Sequence, residues 1–129
     1  MVYRQGGTLK MSTFSSVEML QGYLKVLTTR QQMIVSNMAN IDTPGYHTKD
    51  INFSAAMRQV IDEGGDGSGA RLLPASLETA GLPERPDGNN VNVDRESLAL
   101  AQTQLQFQLG VQLVKSDLQM VLAAMKDGN

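Results

Sequence analysis

The sequence predicts a mainly α-helical chain. Long N- and C-terminal helices pair as an antiparallel coiled coil, with a largely irregular Gly/Pro-rich segment between them. Three observations carry this. Val17, Leu20, Leu24, Leu27, Gln31, Ile34, Met38 and Ile41 follow 3-4-3-4-3-4-3 spacing. Leu100, Gln104, Phe107, Val111, Val114, Leu118, Val121 and Met125 follow the reverse rhythm. Both are heptad seams with one polar member each. All four prolines and seven of the twelve glycines lie between the two seams, where a regular helix would be interrupted.

The first helix is expected over 14–41. No proline interrupts it and only Gly22 weakens it, so it should run for about 40 Å at 1.5 Å per residue. Ser15 or Ser16 is the expected cap, with Glu18 in the first turn. Residues 1–12 are polar with a Gly pair and are expected to be mobile, with Met11 as an alternative start. A second apolar file, Met19, Tyr23, Val26 and Met33, runs beside the seam.

The helix must stop at Ser36-Asn37-Met38-Ala39-Asn40-Ile41-Asp42-Thr43-Pro44-Gly45-Tyr46. Pro44 fixes its own φ and turns Thr43 out of the helical region. Pro44-Gly45 reads as the centre of a type II turn, Gly45 supplying the positive φ. Asn37 and Asn40 are three residues apart and share a helical face. They fit either a simple polar helix end with a cap or a hydrogen-bonded junction that aims the helix; residue chemistry alone leaves both open.

The segment 42–92 is expected to be a loop region. Phe53, Ala56, Met57, Val60 and Ile61 mark a short amphipathic helix about 53–62. Gly64 to Gly69 reads as a flexible linker rather than a phosphate loop, since no Gly-Lys-Ser/Thr follows. Residues 70–82 offer at most a little extended structure, and Pro86 to Asn90 is a turn cluster. The last helix is expected over 93–126, capped by Asn92 or Asp94. Gly110 reads as a soft spot of about 1 kcal/mol relative to Ala. The whole chain, 1–129, is expected to form a single domain.

Composition excludes several functions. There is no cysteine, so no disulfide framework and no thiolate chemistry. A net charge of −2 argues against nucleic acid as a partner. The longest apolar run, Met120 to Met125, is far short of the about 20 residues a membrane helix needs. No secretory leader is legible. The single histidine, His47, sits in a loop without metal-ligand spacing and reads as a surface residue. No catalytic residues, metal, cofactor or small-molecule ligand is expected. A two-helix hairpin leaves the flanks Met19, Tyr23, Leu105, Leu109 and Leu113 in water, and such surfaces mark self-association or co-assembly.

The stretch 36–46 closely resembles the signature that ends the first long helix of bacterial flagellar rod and hook proteins. Asn37, Asn40, Thr43, Pro44 and Gly45 all agree with it, and Tyr46 occupies its aromatic end. Residues 46–53 and 87–96 resemble the flanking stretches of the short proximal-rod members. The Arg-x-Tyr-x-x-Asn pattern inside the last helix of the other short rod members is absent from Ser97 to Gln108. The resemblance covers about 17–62 and 86–129; nothing matches 63–85. It implies a non-enzymatic structural subunit of the basal-body rod, exported unfolded by the flagellar type III apparatus without a cleaved leader. It further implies a periplasmic rod in which the terminal helices pack against self, other rod subunits and adjacent ring or export components. The five matching signature residues would then set the helix-to-loop junction. The competing reading is a soluble helical-hairpin adaptor or export chaperone.

Overall fold

The computed structural model describes residues 5–62 and 77–127, with side chains of the first helix from Ser16 onward. It contains α1 (Gln5–Ala39), β1 (Lys49–Asp50), α2 (Phe53–Asp62), β2 (Leu77–Glu78) and α3 (Val93–Asp127). The two terminal helices are 35 residues each and pack together. The expected linker 64–69 lies outside the described residues.

The first helix begins at Gln5, not at Ser15 or Ser16, so residues 5–12 are helical rather than a loose tail. The physical reason is propagation. Once a helix is nucleated, each further residue adds a hydrogen bond, and the Gly6-Gly7 pair weakens this by only about 1 kcal/mol per glycine. Its other end is Ala39, with Asn40 and Ile41 already in the turn.

Two asparagines start the later helices in the same way. Asn52 Oδ1 accepts from the Ala55 amide at 3.1 Å, and Asn92 Oδ1 accepts from the Arg95 amide at 3.1 Å. Each satisfies one of the unpaired donors of a first helical turn. Asp94 and Glu96 follow in the first turn of α3, where the helix dipole favours negative charge.

The apolar core lies between α1 and α2. Val26, Ile51, Ala56 and Val60 are buried together, with Met33, Phe53 and Met57 packed against them. Tyr23 and Phe53 meet edge to face, ring centroids 5.9 Å apart. Of the second apolar file of α1, Tyr23, Val26 and Met33 are therefore covered by α2, while Met19 stays 39% exposed, as expected of the flank. Leu105, Leu109 and Leu113 do stand exposed.

The α1–α3 contact is centred differently from the expected seam. On α1, Leu27 and Ile34 are buried, while Val17, Leu20, Leu24, Met38 and Ile41 are half-buried. On α3, Leu100, Phe107, Val111, Val114 and Val121 are half-buried, but Leu118 and Met125 are 46% and 66% exposed. The buried line on α3 is Glu96, Thr103 and Gly110, also seven apart. Small and polar residues occupy the closest approach: a Cβ built on Gly110 would lie 2.7 Å from Leu24 Cδ2. Gly110 is thus a packing residue rather than only a soft spot.

Three contacts fix the axial register. Ser16 Oγ donates to Asp117 at 2.8 Å, Gly110 abuts Tyr23 and Leu24, and Asn37 reaches Glu96 at 3.1 Å. Matching the ends of the two apolar seams places Leu20 beside Val121 and Ile41 beside Leu100. Instead Leu20 shares a groove with Leu113, a slip of about two helical turns. The buried polar pair and the glycine contact, not seam length, set the alignment.

Candidate functional site

The junction begins at the turn. Tyr46 donates its amide to Thr43 O at 3.2 Å and Gly45 has φ 74°, the geometry of a type II turn. A second turn, 85–88, packs on it: Gly88 donates to Arg85 O at 2.8 Å and also has positive φ. Gly45 donates its amide to Asp87 O at 2.8 Å, joining the two turns. A Cβ on Gly88 would meet Gly45 Cα at 3.3 Å, so a side chain there would force the turns apart.

Asn37 is the hub. It is 1% exposed, and its amide makes four hydrogen bonds. Nδ2 donates to Lys49 O at 2.8 Å and to Glu96 Oε2 at 3.1 Å. Oδ1 accepts from the Lys49 amide and from the Tyr46 hydroxyl, both at 3.1 Å. A primary amide has two donors and two acceptor lone pairs, so this side chain is fully satisfied. One residue ties α1, the chain leaving the turn and α3. It faces inward, towards Glu96 of α3.

Asn40 does something different. Its Nδ2 donates to Ser36 O at 2.8 Å, its Oδ1 accepts from Thr43 Oγ1 at 3.0 Å, and its backbone carbonyl accepts from Thr43. It closes the last turn of α1 locally, as a C-terminal cap. The cap and junction readings therefore each describe one of the two asparagines.

Asn89 reaches the same helix end from 49 residues away. Its Nδ2 donates to Asn40 O at 2.9 Å and to Thr43 O at 2.8 Å. Its Oδ1 accepts from the Val91 amide at 2.8 Å, and its own amide bonds Asp87 Oδ1 at 3.0 Å. Arg85 adds two more backbone acceptors, Ile41 O and Val91 O. Asn90 holds the returning chain: its Oδ1 accepts from the Thr48 amide at 2.6 Å and its carbonyl from Thr48 Oγ1 at 3.3 Å. Carbonyls of the turn that follows α1 are thus held by side chains from the far side of the loop region.

The charges are few and paired. Glu96 is 1% exposed, and Arg95 meets its other oxygen at 2.7 Å. With Asn37 on Oε2, the buried carboxylate has a partner at each oxygen. Arg30 pairs with Asp50 at 3.3 Å, linking α1 to β1. His47 lies between two carboxylates, Nδ1 3.2 Å from Glu78 and Nε2 3.0 Å from Glu84. Its pKa is raised above 6.5, first by the hydrogen bond to Glu78, against an opposing desolvation effect that comes next in size, with the charges of Glu78 and Glu84 adding to the rise.

Of the signature residues, Asn37, Asn40, Thr43, Gly45 and Tyr46 meet in this network, and Pro44 sets the turn. Glu96, Asn89, Asn90 and Arg85 were not anticipated as members. Among the described residues no group of His, Cys, Asp and Glu is arranged to hold a metal ion. No helix among them is long and apolar enough to cross a membrane. The polar side chains of the site bond to their own chain.

No protein-family model matches the chain. Among known proteins, the flagellar basal body rod protein FlgB of Salmonella typhimurium is 30% identical over 126 residues, covering 84% of this chain and 91% of that protein. FlgB of Yersinia enterocolitica is 30% identical over 125 residues with the same coverage, and FlgB of Escherichia coli is 29% identical over 126. With a junction built from the signature residues and relatives matched over most of their length, the chain belongs to the FlgB family of flagellar basal body rod proteins.

Proposed function

We propose that this structural, non-enzymatic rod subunit assembles through its two terminal helices, paired as an antiparallel coiled coil, with copies of itself and with other rod subunits. The carrying observation is a line of uncovered apolar residues on α3. Leu98, Leu105, Leu109, Leu113 and Met120 are each 54–64% exposed, and they recur at spacings that keep them on one side of a helix. A surface of that extent is a docking face. The antiparallel pairing is supported by contacts whose numbers rise along α1 as they fall along α3, from Ser16–Asp117 to Asn37–Glu96.

In this reading the chain acts as one domain. Asn37, Asn40, Thr43, Pro44, Gly45 and Tyr46 hold the corner between the helix pair and the 42–92 region. The corner fixes how the docking face is presented. Export without a cleaved leader, residence in the periplasmic rod and contacts with ring or export components belong to the same proposal. The test is a Leu105→Gln, Leu109→Gln double variant in motile cells. Its purified form should keep wild-type helicity, and basal bodies should lack a complete rod by electron microscopy. Intact rods and normal swimming with this variant would reject assembly through α3.

A further inference from the structure

We propose that His47 is a proton-operated clasp, closed as imidazolium by a hydrogen bond to Glu78 and an ion pair with Glu84, and opened on deprotonation by losing the charge that holds both. The geometry carries this. Both ring nitrogens lie within hydrogen-bond distance of a carboxylate oxygen, at 3.2 Å and 3.0 Å. Nδ1 hydrogen-bonds Glu78 and Nε2 faces Glu84 at ion-pair distance, and a carboxylate only accepts, so both contacts are attractive only when both nitrogens carry protons. A neutral ring donates from one nitrogen and turns a lone pair towards the other carboxylate.

The clasp joins a fixed part to a loosely held part. The backbone on either side of His47 is pinned: Tyr46 O accepts from the Asn90 amide, and the Thr48 amide donates to Asn90 Oδ1. The segment 77–84 is largely exposed. It is held by the two-residue pairing of β2 with β1 and by the Thr79 amide donating to Thr48 O at 2.9 Å. Two ion pairs are a large share of so short an attachment.

The surrounding charges favour the closed state. Glu78 faces the ring from β2 and Glu84 from the following loop. Lys49 is the cross-strand partner of Glu78, but its ammonium lies over the Tyr46 ring, 5.8 Å from the centroid. Arg85, next to Glu84, is directed at Ile41 O and Val91 O and pairs with Asp87. The imidazolium is further favoured by the Gly88 carbonyl. The sign follows. A folded-state pKa raised above 6.5 means the clasp is fully closed below 6.5 and opens as pH rises through the folded value.

The test uses the intact chain and nuclear magnetic resonance. The His47 ring should titrate above 6.5, and Glu78→Gln or Glu84→Gln should each lower the midpoint. Protection of the Thr79 amide, corrected for intrinsic exchange, should fall severalfold across that midpoint in the wild type and stay flat in His47→Gln. The Lys49 amide, bonded to Asn37, should hold its protection throughout. A ring midpoint at or below 6.5, or a Thr79 profile unchanged by His47→Gln, overturns the proposal.

Discussion

Asn37 and Lys49 pair as two amides would across a sheet: the side chain of one donates to the carbonyl of the other at 2.8 Å and accepts from its amide at 3.1 Å. A side chain on a helix thus stands in for a strand. Replacing it with alanine leaves Lys49 without both partners and Glu96 Oε2 buried without a donor. Unfolding in urea should show a loss of about 3 kcal/mol for Asn37→Ala. Asn37→Asp keeps the shape but sets a carboxylate against Glu96, so it should be no milder. Stability within error of wild type for both variants would show that the hub does not hold the fold.

Glycine at 88 and at 81 gives a matched comparison. Both have positive φ, 84° and 80°. A Cβ at 81 meets open space, whereas one at 88 meets the Gly45 backbone at 3.3 Å. Gly81→Ala should cost about 1 kcal/mol, the left-handed penalty alone. Gly88→Ala should cost more, and thermal melts of the two variants read the difference. Equal melting points would mean the two turns are free to move apart.

At Gly110 two effects oppose. Alanine improves helix propensity by about 1 kcal/mol but places a methyl 2.7 Å from the flexible tip of Leu24. Gly110→Ala should therefore be close to neutral. Gly110→Leu adds bulk that a rotamer change cannot absorb, and should cost about 1–3 kcal/mol. A Gly110→Leu variant as stable as wild type would contradict a close approach of α1 and α3.

Asn92→Ala removes the acceptor of the Arg95 amide at the start of α3. The expected loss is about 1 kcal/mol, with Asn92→Asp restoring it because aspartate caps equally well and suits the dipole. Circular dichroism during denaturation measures both. If aspartate fails to restore stability, Asn92 acts through something other than its cap.

The long periodic elements were legible because repeated apolar spacing over many residues leaves few alternatives. The interface was less so. Glu96, Thr103 and Gly110 repeat every seven residues and are the buried line of α3, yet none counts as apolar in a periodicity reading. Asn37 is hard to read for the same reason. It lies three residues after Ile34 and four before Ile41, on the inward side, where a periodicity reading expects an apolar residue. The link from Asn89 to the end of α1 spans 46 to 49 positions, and no local pattern encodes it. The early start of α1 was missed because a glycine pair reads as a break, although an established helix crosses it at modest cost.

The contacts of Asn37, Asn89 and Asn90 also act like a drawstring. They gather the chain at Lys49 on the way out and at Arg85 on the way back, so the neck of the segment between them is tied. Closing a longer excursion costs little, about 0.6 kcal/mol for each doubling of length. Added length between α2 and β2 therefore leaves the neck tied, whereas Ile51, Ala56 and Val60 belong to the core and are not free to change.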